Sequence, residues 1–271
     1  MLQRCFEALR PARPMVHCIT NSVTINDCAN VLLAAGARPI MADDPEESAE
    51  ITAACRALVL NLGMLSPRKL EAMVKSGHQA NRMGIPVVLD PVGAGASRLR
   101  TETALRLLRD VQFSVIRGNL SEIETLARGH GTTYGVDSAD RVTPGNLDAC
   151  CALVRAFARR TGAVVALSGA VDLVSDGERV YCIRNGHPMM GLVTGTGCQL
   201  SCLAGAFAAA NPDRPLEAAA AAVCAMGLCG EIAHDRLGPL DGSGSYRTYL
   251  MDAVCRLTPE QLEKGARYEL R

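Results

Sequence analysis

The chain has 271 residues, 48% hydrophobic and 21% charged, and its 28 Lys+Arg balance 28 Asp+Glu to a formal net charge of zero. That composition is globular rather than disordered, and a chain of this length buries about three-quarters of its unfolded surface without a metal or disulfide staple. Zero net charge and 3% aromatics with no Trp argue against a nucleic-acid partner, whose binding usually leaves a basic footprint or uses a stacking platform.

In chain order, short apolar runs alternate with helical patterns. The opening residues 1–10 lack an apolar stretch of signal-peptide length. Strands are predicted at 16–20, 39–42, 57–61, 86–90, 113–117 and 163–167, each mostly apolar, as strands buried on both faces are. A helix over 66–84 has Ser66 as its cap, Pro67 at its first position and Gly84 at its end. The polar, Gly-rich segment 130–146 predicts a mobile loop. A second helix over 146–162 places Leu147, Cys150, Cys151, Val154 and Phe157 on one face.

Runs at 171–175 and 179–183 flank Asp176-Gly177, which predicts an antiparallel hairpin at a sheet edge. The rest reads as helices near 197–210, 215–236, 244–256 and a short one from Pro259. The charge-free stretch 185–212 is broken by Gly186, Pro188, Gly191, Gly195 and Gly197, so it is not a membrane helix. The Ala-rich stretch 216–233 carries Glu217 and Glu231 and reads as a buried helix of a soluble protein. This alternation predicts an α/β fold: a mostly parallel central sheet, helices on both faces and an edge β-hairpin. No linker or composition shift divides the chain, so one domain over 1–271 is expected. The 12 cysteines show neither C-x-x-C nor zinc-finger spacing. They read as reduced thiols packed in the core of a cytoplasmic protein.

In open parallel sheets, ligands bind beyond the carboxyl ends of the strands. Four such ends deliver Gly-rich turns beside polar groups: Asp90 to Gly95, Arg117 to Glu122, Ser168-Gly169, and Thr194 to Cys198. The last opens an apolar helix. Backbone N–H groups and the helix dipole converge there on an anion site, and a Cys in the first turn is expected to have a lowered pKa and to act as base or nucleophile. A helix cap with a structural Cys is the alternative. Asn119 and Glu122, three apart at a helix start, read either as a magnesium site or as a capping pair. Arg117 reads as a phosphate partner or a solvated strand end. Asp90 reads as a metal-steering group or a turn residue before Pro91. His17 reads as a satisfied core histidine. There is no P-loop, no G-x-G-x-x-G and no G-x-S-x-G elbow.

These residues together give the chain a resemblance to the hydroxyethylthiazole kinases, a branch of the ribokinase-like superfamily. It runs from Val16 to near Leu257 and rests on 16–21, 39–42, 88–95, 116–122 and 193–198, with Gly244-Ser245-Tyr246 as a late addition. It implies transfer of the ATP γ-phosphate to the hydroxyl of 4-methyl-5-(2-hydroxyethyl)thiazole, with magnesium, in thiamine synthesis or salvage. It implies a homotrimer with active sites between subunits. Carried over residue by residue, Gly195, Thr196, Gly197 and Cys198 match the anion hole, with Cys198 as base where most ribokinase-like kinases have Asp. Arg117 and Ser168 match ATP contacts. Asn119, Glu122 and Asp90 match the magnesium site, and Met41, Gly195 and Asn21 the thiazole pocket. Cys18 and Cys28 depart from the pattern near that pocket. Rival expectations are a pyridoxal or hydroxymethylpyrimidine kinase, a ribokinase-like NAD(P)H-hydrate dehydratase (which should carry Asp at position 198), and a nucleotide-binding module without catalysis.

Overall fold

The computed structural model describes residues 1–129, 142–143 and 145–271; most of the mobile loop expected over 130–146 lies outside the described residues. The strands are β1 (Met15–Ile19), β2 (Arg38–Ile40), β3 (Ala57–Asn61), β4 (Val87–Asp90), β5 (Val115–Asn119), β6 (Val164–Ser168), β7 (Asp172–Ser175), β8 (Val180–Ile183) and β9 (Tyr268–Leu270). The helices are α1 (Leu2–Ala12), α2 (Ile25–Ala34), α3 (Ser48–Ala53), α4 (Pro67–Met83), α5 (Arg98–Asp110), α6 (Leu120–Arg128), α7 (Leu147–Thr161), α8 (Thr196–Ala210), α9 (Pro215–Asp235), α10 (Ser243–Arg256) and α11 (Pro259–Gly265). Among the described residues the strands form one sheet in the order β2-β1-β3-β4-β5-β6-β7-β8-β9. The first six are parallel to their neighbours. The last three add antiparallel.

All six expected parallel strands are present; β3 has the expected bounds, and the other five differ by one or two residues at one end or both. The hairpin is present, but Ser175 pairs with Val180, so its connection has four residues rather than a two-residue Asp-Gly turn. Asp176 closes it by accepting from the backbone N–H groups of Glu178 and Arg179. The edge strand β9 adds to the expected elements; at three exposed residues it is too short to show a period. The helix expected over 66–84 is α4, with Ser66 accepting from Lys69 N and Gly84 left-handed at φ 65°.

Strand residues alternate between two cores, as a period of two requires. Val59, Val88, Val115 and Val164 face α1, α2, α8, α9 and α10. Leu58, Leu60, Val87, Leu89, Ile116 and Val165 face α4 to α7. α8 and α9 are apolar nearly all round because they are central layers rather than surface helices. α9 is long and apolar enough to cross a membrane, yet 89% of its apolar window is buried inside the fold. All twelve cysteines are free; only Cys198 and Cys255 are not fully buried.

Candidate active site

Parallel register brings the strand ends together. Asn61 pairs with Asp90 across β3 and β4, and Asn119 pairs with Ser168 across β5 and β6. α8 starts above this edge. Gly195 precedes it at φ 85°, where a Cβ would also collide with Thr24, so both backbone and space demand glycine. At Gly197 a Cβ would meet the Arg117 guanidinium 2.5 Å away. The first three N–H groups of a helix have no intrahelical acceptor, and in α8 they belong to Thr196, Gly197 and Cys198.

Two cavities meet here. One, about 540 Å³, is bounded by Arg117, Ser168, Asp172, His187, Gly197 and Met226, among others. The other, about 310 Å³, is bounded by Asn21, Asp90, Arg117, Glu122, Gly195 and Cys198, among others. They share Arg117, Asn119 and Gly197. The expected site residues Asp90, Arg117, Asn119, Glu122, Ser168, Gly195, Thr196, Gly197, Cys198 and Asn21 therefore all line one continuous cleft. Met41 does not. It succeeds β2 toward the sheet edge and packs half-buried against the core on the α8 side.

Arg117 crosses the floor of the cleft. Its Nη2 donates to Ser168 Oγ at 2.6 Å, and its Nη1 lies 3.8 Å from Asp90 Oδ1. Asp90 is fully buried. Its Oδ2 accepts from Asn61 Nδ2 and Ser201 Oγ, each at 2.8 Å, while Oδ1 has no hydrogen-bond partner. Burial raises its pKa against the lowering by Arg117, Ser201 and Asn61. Glu122 is pushed up by burial and then by Asp90.

Asn119 and Glu122 form a capping box at α6: Asn119 Oδ1 accepts from Glu122 N, and Glu122 Oε2 accepts from Asn119 N. Glu122 Oε1 accepts from Gly93 N. Capping and metal binding are compatible for the carboxylate, which has about four lone-pair directions. Asn119 Oδ1 already accepts from Glu122 N and Ser121 Oγ. The orphaned Asp90 oxygen with Glu122 nearby suits magnesium, a hard cation usually held by one or two carboxylates, water and substrate phosphate.

Cys198 Sγ faces two side-chain amides, Asn61 Nδ2 at 3.2 Å and Asn21 Nδ2 at 3.5 Å. Its pKa corrects the expectation from sequence. It is raised, not lowered, because burial and then the charge of Asp90 outweigh the hydrogen bonds from Thr24 and Asn61. The structure adds Asn61, Ser201, Thr24 and Asp172 to the site residues that sequence reasoning finds. Asn61 carries a signal: it is a polar residue closing an apolar strand on the same edge as Asp90. His17 is the expected satisfied core residue, bonded to Thr52 Oγ1 and Ala42 O, with burial lowering its pKa.

The hydroxyethylthiazole kinase family model matches residues 6–260. The chain belongs to the hydroxyethylthiazole kinase family. Among its relatives, the hydroxyethylthiazole kinase of Clostridium acetobutylicum is 51% identical over 99% of this chain and 99% of its own length. That of Methanosphaerula palustris is 49% identical over 97% and 96%. The solved hydroxyethylthiazole kinase protein of Pyrococcus horikoshii OT3 superposes with a TM-score of 0.89 at 36% identity, covering 100% of this chain and 98% of that one. The pyridoxal kinase of Staphylococcus aureus, solved with AMP-PCP and pyridoxal, superposes at TM-score 0.62 over 95% of this chain and 98% of its own. At 14% identity that likeness is one of fold alone. This family member is thus a phosphotransferase acting on a small substrate with ATP.

Proposed function

We propose that the chain works as one kinase domain of a cytoplasmic homotrimer and passes the γ-phosphate of ATP to the hydroxyl of 4-methyl-5-(2-hydroxyethyl)thiazole, with Cys198 as the base. The observation that carries this reading is the position of Cys198. It stands at the start of α8, where the two cavities join beside Arg117. ATP takes the larger cavity, with its polyphosphate toward Arg117 and Ser168. The thiazole alcohol takes the smaller, beside Asn21 and Gly195.

Phosphoryl transfer asks the protein mainly to align the reactants and to offset charge. Arg117 offsets charge on the transferring group, and the N–H groups of Thr196, Gly197 and Cys198 face its oxygens. The alcohol oxygen forms the new bond to phosphorus, the bond to the ADP oxygen breaks with its electron pair, and the alcohol proton passes to the Cys198 thiolate. Asp90 and Glu122 are the residues to hold magnesium, and Asn119 fixes Glu122 through the capping box. Bound magnesium supplies charge neutralisation across the phosphates.

Met41 enters only through the trimer, in which it completes a neighbour's thiazole pocket. Exposed Val23, Met64 and Leu192 supply apolar surface for such contacts, with Val23 itself lining the smaller cavity. A coupled ATP assay against the thiazole alcohol, pyridoxal and hydroxymethylpyrimidine tests the assignment. Turnover on the thiazole alcohol at least tenfold above the others is expected, and preference for either rival overturns it.

A further inference from the structure

Asn61 closes β3 and is 1% exposed. Its amide can face only one way. Oδ1 accepts from Gly63 N at 2.9 Å and from Asn21 Nδ2 at 3.0 Å. Nδ2 therefore points at Asp90 Oδ2 and Cys198 Sγ. Asn21 is fixed in the same manner, because its Oδ1 accepts from Thr24 N and Thr24 Oγ1, both at 3.1 Å. Two locked amides on separate segments thus aim N–H groups at one sulfur.

We propose that Asn61 is a positioning residue for the transfer: its N–H, helped by that of Asn21, holds Cys198 Sγ as the proton acceptor facing the substrate hydroxyl. This rests on the reading of Cys198 as the base. Asp90 strengthens the arrangement, since a carboxylate accepting one Asn61 hydrogen locks the other toward sulfur. Of the other groups that act on the sulfur, Asp90 from β4 and Cys28 from α2 disfavour its charged form, and the Thr24 hydroxyl, just ahead of α2, favours it together with Asn61. Ser201, one turn along α8, donates to the same Asp90 oxygen as Asn61, so the helix that carries the sulfur and the strand that carries the amide share one anchor.

The test uses the intact enzyme with ATP and the thiazole alcohol. A hydrogen bond to a charged group is worth about 10- to 100-fold, so Asn61→Ala should lower kcat by that factor and leave KM for ATP within about twofold. In a Cys198→Ala background the same substitution should cost less than about twofold more, because residues acting as a unit are non-additive. Alkylation of Cys198 by iodoacetamide at fixed pH, tracked on its own peptide by mass spectrometry, should slow by about tenfold in Asn61→Ala. Asn21→Ala should slow it less, matching the longer contact, and decides the matter if Asn61→Ala does not fold. An equal kcat loss in both backgrounds, or an unchanged alkylation rate, overturns the proposal and leaves Asn61 a structural staple. Near-normal turnover in Cys198→Ala overturns the base reading itself, a separate result.

Discussion

One guanidinium joins three strands: Arg117 donates to Ser168 at 2.6 Å and lies 3.8 Å from the orphaned Oδ1 of Asp90. Arg117 therefore serves the fold as well as the proposed phosphate site. Its side chain is 14% exposed and Asp90 is fully buried. Arg117→Ala should abolish most ATP use and also destabilise, since removing one partner of a buried pair leaves the other uncompensated, roughly 3 kcal/mol. Urea unfolding alongside kinetics checks both effects. A variant as stable as wild type would show that Arg117 faces only the ligand.

Glu122→Gln keeps one acceptor oxygen for the two backbone N–H groups that Glu122 now holds, Gly93 N and Asn119 N. A stability loss of about 1 kcal/mol is expected. The magnesium concentration giving half-maximal activity should rise at least several-fold, because a carboxylate becomes an amide. An unchanged magnesium titration would leave Glu122 a capping residue only.

Sequence and structure part company for physical reasons that differ by residue. The parallel core is legible because β3 and β4 are continuous apolar runs, and α4 because Ser66, Pro67 and Gly84 punctuate it. Asp90, Arg117 and Cys198 are legible because each sits in or beside a Gly-rich turn beyond a strand end. Asn61 is marked only as a polar residue closing an apolar strand, with Gly63 as its one nearby glycine; its role becomes specific when register sets it opposite Asp90. The Cys198 pKa runs against expectation because a helix N-terminus can be read from sequence, whereas the burial of its sulfur and, after that, the Asp90 carboxylate that β4 brings near it cannot.

Asp172, at the start of β7, borders the larger cavity and accepts from Gly169 N at 2.8 Å. Burial pushes its pKa up to about 7, against lowering by that hydrogen bond and by Arg117. Below that value the carboxyl is neutral, and above it a negative charge borders the proposed ATP site. KM for ATP should therefore rise as pH climbs from about 6 to about 8, across the titration of that carboxyl. Asp172→Asn keeps an acceptor for Gly169 and should flatten the trend. The folded-state pKa lies above the ordinary carboxyl value, so ionisation opposes folding. Asp172→Asn should then stabilise above about pH 7 and have little effect near about pH 4. A parallel pH dependence in both proteins would remove Asp172 from ATP binding.

The proposed trimer has its own test. Val23, Met64 and Leu192 are exposed, and light scattering should return the mass of three chains. Val23→Asp should shift the mass toward one chain and reduce activity together with it, since the thiazole pocket is proposed to need a neighbour. A fully active single chain at high protein concentration would sink this reading.

Cys198 gives the sharpest prediction. A positioned base contributes about 100- to 10,000-fold, so Cys198→Ala should lose activity of that order while still binding ATP. In the proposed mechanism the thiolate is the working form, and burial together with Asp90 raises the thiol pKa. Wild-type kcat should therefore keep climbing with pH through and beyond the ordinary thiol value of about 8.5. Cys198→Asp puts a group that ionises several pH units lower at the same place. It should keep substantial activity, with its rising limb moved toward acid. Thiol-alkylating reagents should inactivate the wild type, bound thiazole alcohol should protect, and Cys198→Asp should resist, which separates this thiol from the other eleven cysteines. If Cys198→Ala turns over at a near-normal rate, the sulfur only packs against Asn21 and Asn61, and the α8 amides with Arg117 carry the transfer without a protein base.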